Sequence, residues 1–418
     1  MKASSARCCS HNYVFAIRYS RGTLQNSAIV QYPVSMAWKE RVVSTRKQLH
    51  GWWPGKRECT AERMLINPYN GCGIGCFFCY ARGFPGYFQD FHEKGIITVA
   101  EDFDKIVAEQ LDSIDIASCG YLSPVTDPFQ PLNRKYRLSE KIIQVFVERN
   151  IPIEFVTKAR IPQEAISLMK QQPYCFGQIS ILTLNEELRK VLVPYGASTG
   201  TLLRNLERLS REGIYAVCRI DPIFPYLTDR KFHLEQLIER ALDSGARHIV
   251  ASALDIPLKL QDHFFQTLGS YFGTEIVQNY RALYTERIGP YLHAQIGYRK
   301  ALFSTIREIC DKKGISFALC MEYELVDGKA QGLNQKFMSS RNCEGIDIPV
   351  HRRKGKRFYP ASDCAGDCLH CTDPKCGIPD LAMGKPGSKK DWKLSDYRRW
   401  SAQLKMGDLF YGSDSEEG

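Results

Sequence analysis

The chain has 418 residues, 44% of them apolar and 24% charged, a globular composition with room for about two to three domains, or for one α/β barrel with additions. No apolar run approaches the roughly 18 residues of a membrane span, and the N-terminus lacks the apolar core and small-residue cleavage site of a secretory signal, so the reading is a cytoplasmic protein without a membrane partner. Sixteen cysteines in so long a chain exclude the disulfide scaffold of a short secreted domain, and the net charge of +10 favours an anionic partner.

Residues 1–60 show weak periodicity and a Cys8-Cys9 pair, and are expected to form an N-terminal extension whose Trp52-Trp53-Pro54-Gly55 stretch packs on the next domain. From 61 to 320, apolar strand-like runs alternate with helix-period segments, the pattern of βα units around a parallel sheet. Strands are expected at 64–67, 117–122, 153–157, 176–182, 215–220 and 247–253. Helices are expected at 139–149, after Pro162 at its N-terminal turn, at 199–211 and at 231–242. Six such units predict an α/β fold, a partial (β/α)6 barrel of TIM type.

The end of the first strand runs into Asn67-Pro68-Tyr69-Asn70-Gly71-Cys72-Gly73-Ile74-Gly75-Cys76-Phe77-Phe78-Cys79-Tyr80-Ala81-Arg82. Its C-x3-C-x2-C spacing lets three thiolates converge on one small metal centre and leaves that centre one ligand short of four. Structural zinc and ordinary four-cysteine iron–sulfur sites close their shell, so a triplet among glycines points to a metal with one position open to something other than protein. A zinc site completed by a remote residue and a redox pair are the alternatives.

In α/β barrels, functional groups sit at the C-terminal ends of the strands. That places Ser123, Thr126, Asp127, Lys158, Ser180, Thr183, Arg219 and Asp221 among the candidates. A serine, threonine or aspartate there can instead cap the following helix. Lys158 and Arg219 carry more weight, because a cation in a barrel mouth needs an anionic partner.

Beyond 320 comes a cysteine-rich region, 321–380, with Cys343 and then Cys364, Cys368, Cys371 and Cys376 in C-x3-C-x2-C-x4-C spacing, with Gly366, Pro374 and Gly377 for turns. Four thiolates so close predict a second metal centre, an auxiliary 4Fe–4S cluster with zinc as the alternative; Cys320 or Cys343 can replace a member, and His370 is expected off the metal. The basic run at 351–357 ends in Phe358-Tyr359, a pattern that can neutralise phosphates and stack on bases, or simply form a solvated loop. Residues 381–418 are read as a tail with an acidic end.

The cysteine loop after the first strand resembles the radical S-adenosylmethionine (SAM) superfamily. The resemblance implies that Cys72, Cys76 and Cys79 hold a 4Fe–4S cluster whose fourth iron is chelated by SAM. It also implies reductive cleavage to a 5'-deoxyadenosyl radical, hydrogen abstraction from substrate, and a reductase or flavodoxin-type electron donor. The carboxylate of SAM would then answer Lys158 and Arg219, Phe78 matches the family's adenine-contacting position or simply packs, and Tyr80 is a core aromatic or, alternatively, a radical relay. Asn67-Pro68-Tyr69, Cys79-Tyr80-Ala81-Arg82, Thr126-Asp127-Pro128-Phe129-Gln130-Pro131, Thr157-Lys158 and Asp221-Pro222-Ile223-Phe224-Pro225 together resemble the spore photoproduct lyase-like branch, often labelled DNA repair photolyase homologues. Departures are Phe78 where those lyases carry a tyrosine, and a Pro124-Val125-Thr126-Asp127 turn without their hydrogen-donor cysteine, with Cys119 on the strand body instead. The expectation is an enzyme acting on an anionic, nucleotide-like or nucleic-acid substrate. Lesion repair, a sulfur-inserting or peptide-modifying enzyme, and a zinc-stabilised nucleic-acid-binding protein are the alternatives.

Overall fold

The computed structural model describes residues 38–51, 63–382, 384 and 393–396. The Cys8-Cys9 pair, the Trp52–Gly55 stretch and nearly all of the expected tail lie outside the described residues.

Seven parallel strands run across one sheet in chain order: β1 (Arg63–Ile66), β2 (Cys119–Leu122), β3 (Ile153–Thr157), β4 (Phe176–Ser180), β5 (Tyr215–Ile223), β6 (His248–Ala253) and β7 (Ser316–Leu319). Among the helices between them are α1 (Phe103–Asp112), α2 (Leu138–Glu148), α3 (Gln163–Met169), α4 (Thr199–Arg211), α5 (Lys231–Asp243) and α6 (Ile296–Lys313). β1 and β7 are not paired with each other, so the barrel is partial. The strands are buried almost throughout, as in parallel sheets that helices cover. α4 shows why the helices dock: Leu202, Leu206 and Leu209 share its buried face, and the Ser198 side chain caps it by accepting from Thr201 N.

The sheet has one strand more than the six expected. β7 escaped the sequence pattern because an insertion breaks the alternation before it. Two helices, Gln261–Phe272 and Thr274–Leu283, and a small antiparallel sheet of Asp255–Pro257, Tyr284–Ile288 and Tyr291–Ala294 stand between β6 and α6. The run expected at 117–122 is also divided. Ile116–Ala117 pairs antiparallel with His351–Arg352, and only Cys119–Leu122 joins the main sheet.

After β7 the chain turns back beneath the N-terminal ends of the strands. Ser339 N donates to Phe317 O at 2.9 Å, the Tyr215 hydroxyl donates to Gly345 O at 2.7 Å, and His248 Nε2 lies 3.2 Å from Cys343 O. Ile348 packs with Cys119, Phe176, Val217 and Val250. This plug forms a floor, and the hairpin His351–Lys354 and Arg357–Pro360 continues from it. The basic run is thus part of a hairpin. Arg353 donates to Ile114 O at 2.8 Å and to Leu111 O, binding the end of α1, while Lys354, Lys356 and Arg357 are exposed.

A file of polar side chains crosses the interior from floor to mouth. Arg63 pairs with Glu344 of the plug and lies 3.4 Å from Glu154. Gln178 donates to Glu154 at 2.6 Å, and Arg219 donates to Gln178 at 2.9 Å. Burial, and then the charge of Glu344, push the Glu154 carboxyl well above its usual range.

Candidate active site

The cysteine loop leaves the C-terminal end of β1 and is braced from both sides. The Gln130 side chain is fully buried, accepts from Gly73 N at 2.8 Å and donates to Gly71 O at 3.2 Å. Tyr195 N donates to Ile74 O at 3.1 Å. Gly75 has φ +80°, and a Cβ there would stand 2.7 Å from the Tyr195 ring, so the turn admits no side chain without displacing its brace. Burial pushes the Cys72 thiol well up and the Cys76 thiol to about 12, while the charges of Lys158 and Arg82 pull Cys76 the other way.

The strand ends around this loop hold several of the expected residues. Ser123 has φ +56° and is buried; its Oγ, Thr126 Oγ1 and Asn67 Oδ1 are buried atoms without a hydrogen-bond partner among the described residues. Such orphaned oxygens beside three thiols are what a polar ligand would complete. Asp127 has a different task. Its carboxylate accepts from the Thr157 hydroxyl at 2.8 Å, Lys158 N at 2.7 Å and Phe129 N at 2.9 Å, clamping the turn after β2 to the end of β3. Lys158 is half-buried, its charge reaching Cys76, Asp127 and Asp221, and no carboxylate among the described residues is within ion-pair distance of it.

Arg219 is already engaged. It donates to Asp221 through Nε at 3.1 Å and Nη2 at 2.5 Å, so its charge is answered within the chain. Asp221 also accepts from Ser252, and burial opposes but does not outweigh Arg219 and its other partners in holding its carboxyl below the usual value. Ser180 donates to Asp221 O at 3.2 Å, and Thr183 accepts from Asn185 N at 3.0 Å. Phe78 packs edge-on against Phe224, with centroids 4.9 Å apart. Tyr80 is 40% exposed at the mouth, and its hydroxyl donates to Pro124 O at 3.1 Å.

Sequence reasoning missed other groups here. Gln130 lies inside a quoted motif, but its role depends on a contact 57 residues away in the chain. Asp255, just past the end of β6, and Glu322, just past β7, are each raised to about 7, chiefly by burial; Asp255 is raised further by the charges of Glu322 and Asp221. Cys320 feels Arg219, Tyr121 and Tyr80, which sets it in the interior near the mouth.

Among the described residues no three His, Cys, Asp or Glu side chains stand as they would around a single metal ion. Three free thiols on a braced loop, with unpartnered buried oxygens at Asn67, Ser123 and Thr126, offer the donor set of a three-cysteine iron–sulfur cluster with one open corner. The residues present therefore fit a three-cysteine 4Fe–4S cluster with SAM on its open corner, at the functional end of an open α/β barrel. That is the class of radical-generating iron–sulfur enzymes.

Known proteins carry the same features. Residues 66–238 match the radical SAM superfamily. A "Radical SAM Nalpha-GlyT isomerase" of Pseudomonas phage M6 is 27% identical over 377 residues, covering 85% of this chain and 78% of that protein. An uncharacterized protein of Mycobacterium bovis is 25% identical over 264 residues, covering 60% of this chain and 74% of its own length. Among solved structures, a cysteine-to-alanine point mutant of spore photoproduct lyase has a TM-score of 0.52, and a double mutant of the same lyase with bound AdoMet and dinucleoside spore photoproduct has 0.51. Each is 14% identical and covers 65% of this chain and 79% of the lyase. The chain carries a radical SAM domain over residues 66–238 and is an enzyme. Among the described residues no helix is long and apolar enough to cross a membrane.

Proposed function

We propose that this enzyme abstracts a hydrogen atom from an anionic, nucleotide-like substrate at the barrel mouth and that the rearranged radical takes a hydrogen atom from a protein donor. The reductase or flavodoxin-type electron donor and a solvent proton restore that donor, so that the product is an isomer of the substrate and one SAM is spent as methionine and 5'-deoxyadenosine. The observation that carries the reading is the likeness, over 85% of this chain, to a protein named as a radical SAM isomerase. The nucleotide-like substrate is supported by the fold-mate that holds a dinucleoside, by the net charge of +10, and by Lys158 at the mouth.

Cys72, Cys76 and Cys79 would hold the cluster, which with SAM supplies a carbon radical able to take a hydrogen atom. Ser123, Thr126 and Asn67 offer oxygens to the polar groups of SAM, and Lys158 offers a cation to a carboxylate or phosphate. Asp127 is a positioning residue, setting the Lys158 backbone through its own hydrogen bond. Arg219 and Ser180 shape the mouth through Asp221 rather than by reaching out to a ligand. Tyr80 would be the donor that passes a hydrogen atom to the rearranged substrate radical.

The test is anaerobic incubation of cluster-loaded protein with SAM, a reductant and modified oligonucleotides. The expected result is 5'-deoxyadenosine together with a product of unchanged mass but altered retention. No 5'-deoxyadenosine would overturn the radical reading, and 5'-deoxyadenosine with oxidised or cleaved products would overturn the isomerase reading. Dinucleoside lesion repair is supported by the fold alone. Cys119, the thiol that precedes the turn after β2 in sequence, is 1% exposed at the floor end of its strand beside Arg63, far from where a donor would be needed.

A further inference from the structure

Strands β5, β6 and β7 each carry an acid at or just past the C-terminal end: Asp221, Asp255 and Glu322. Two of the three are answered within the chain. Asp221 accepts from Arg219 and from Ser252. Glu322 accepts from Arg299 Nη1 at 3.0 Å and from Ala253 N at 2.7 Å. Asp255 differs from both. No Lys, Arg or His among the described residues stands within ion-pair distance of its carboxylate, which is hydrogen-bonded by its own backbone N–H.

The two arginines on this side of the mouth are fully engaged elsewhere. Arg219 donates through Nε and Nη2 to Asp221 and through Nη1 to Gln178 at 2.9 Å. Arg299 is fully buried and donates through Nη1 to Glu322 and Tyr323 O, through Nη2 to Glu286 at 2.8 Å and through Nε to Ala294 O at 2.8 Å. Four acids, Asp221, Asp255, Glu286 and Glu322, thus share two cations, and Asp255 is the one left over. Burial, and then the charges of Glu322 and Asp221, raise its carboxyl to about 7, a direction that a bound cation would reverse. A half-exposed aspartate in open water needs no partner, but one set beside two other carboxylates does.

Its place in the fold makes that partner a ligand of the mouth. Asp255 begins the short strand Asp255–Pro257, which packs against the turn Tyr80–Gly83 that follows the third cysteine of the loop. A Cβ on Gly83 would stand 3.9 Å from the Pro257 side chain. Ile256 is fully buried, while Asp255 and Pro257, which alternate with it, are half-buried and open to what enters the mouth. At the end of β3 stands the opposite case, Lys158, a half-buried cation with no carboxylate in ion-pair distance among the described residues. Ser123, 1% exposed after β2, adds a hydroxyl without a partner. Three strand spacings of ~4.8 Å separate β3 from β6, about 14 Å along the sheet and less across the chord of a curved one, a distance that a nucleotide-sized molecule spans.

We propose that Asp255 selects the substrate by accepting a hydrogen bond from an ammonium group, so that the anionic, nucleotide-like substrate carries an amine as well. The inference rests on the reading of the mouth as the substrate site and deepens it. The ammonium supplies the cation that Arg219 and Arg299 leave wanting, while the anionic group answers Lys158. Opposite charges at the two ends fix which way round the substrate lies, and with it the C–H bond turned toward the cysteine loop. An analogue without the amine leaves the Asp255 carboxylate unpaired, and one with a second anion there is repelled, so discrimination is built from both attraction and repulsion. The amine of SAM is the other source of the same chemistry, and the assay separates the two.

The probes are fluorescein-labelled oligonucleotides of one sequence in which a single pyrimidine carries a primary aliphatic amine, the same amine acetylated, or no substituent. Binding is read by fluorescence anisotropy on anaerobic, cluster-loaded, full-length protein with SAM. Wild type should bind the amine at least about tenfold more tightly than its acetylated twin, as a hydrogen bond between charged groups allows. Asp255→Asn, of the same shape without the charge, should bring the two within about twofold, and Asp255→Glu should keep the preference for the amine. Comparing the ratio between proteins removes the general effect of one positive charge on a polyanion. Equal binding of the amine and its twin by wild type, or a preference that survives in Asp255→Asn, would overturn the proposal and leave the nucleotide reading standing. Binding of none of the three by wild type would overturn the nucleotide reading and the proposal with it. SAM is titrated into each protein by calorimetry, and a loss of SAM affinity in Asp255→Asn as large as its loss for the amine would assign Asp255 to SAM and overturn its role in selecting substrate.

Discussion

Arg63 offers the sharpest test of how the plug and the barrel hold each other. Its guanidinium is 1% exposed, paired with Glu344 of the plug and 3.4 Å from Glu154 of β3. Replacing it with Met leaves two carboxyl groups facing each other in the interior, with the charge of Glu344 unanswered. Breaking a buried ion pair from one side costs about 3–5 kcal/mol, most of it the price of the stranded charge. For a chain of 418 residues, at about 2.1 cal/mol/K per residue, the unfolding entropy is about 0.9 kcal/mol/K, so Tm should fall by about 3–6 °C. The double variant Arg63→Met/Glu344→Met removes both charges and should recover most of that loss, because an apolar pair of similar volume is often neutral. Thermal unfolding followed by circular dichroism on anaerobically loaded protein matched for iron content is the assay, which keeps metal loading out of the comparison. A single variant within about 1 °C of wild type, or a double variant no more stable than the single, would refute the reasoning.

Gly75→Ala should depress iron incorporation at the first cysteine loop several-fold, because its Cβ would strike Tyr195 from a backbone at φ +80°; iron and sulfide analysis measures it. Asp127→Asn turns an acceptor into a donor among three donors; at about 1–3 kcal/mol it should lower Tm by about 1–3 °C and weaken SAM binding by calorimetry, and unchanged SAM affinity would remove its positioning role. Asp255 is raised to about 7, so the folded chain holds a proton there that the unfolded chain releases near pH 4. Its contribution is fully present below about pH 4 and is lost as pH rises through 7, and Asp255→Asn should flatten that part of the Tm-against-pH curve. Tyr80→Phe should leave 5'-deoxyadenosine formation intact and lower product yield; equal yields would return Tyr80 to a packing role.

Contiguous stretches of chain were enough to announce the first cysteine loop, the glycines that shape it and the six strands before the insertion, because ligand spacing and hydrophobic period are local properties. The chemistry expected of Cys72, Cys76 and Cys79 follows from one loop in one place. What depended on partners far along the chain was not legible there. β7 reaches the sheet only after an insertion, and Ile116–Ala117 leaves the main sheet to pair with a hairpin more than 200 residues on. Arg219 reads as an open cation until Asp221 and Gln178 are seen to enclose it, and Gln130 reads as filler until it meets the backbone of the cysteine loop. The second cysteine set declared its chemistry in its spacing but not its location. Only the return of the chain beneath β1 to β7 decides that it faces the floor, since nothing in local sequence records which end of a barrel a distant segment will cover.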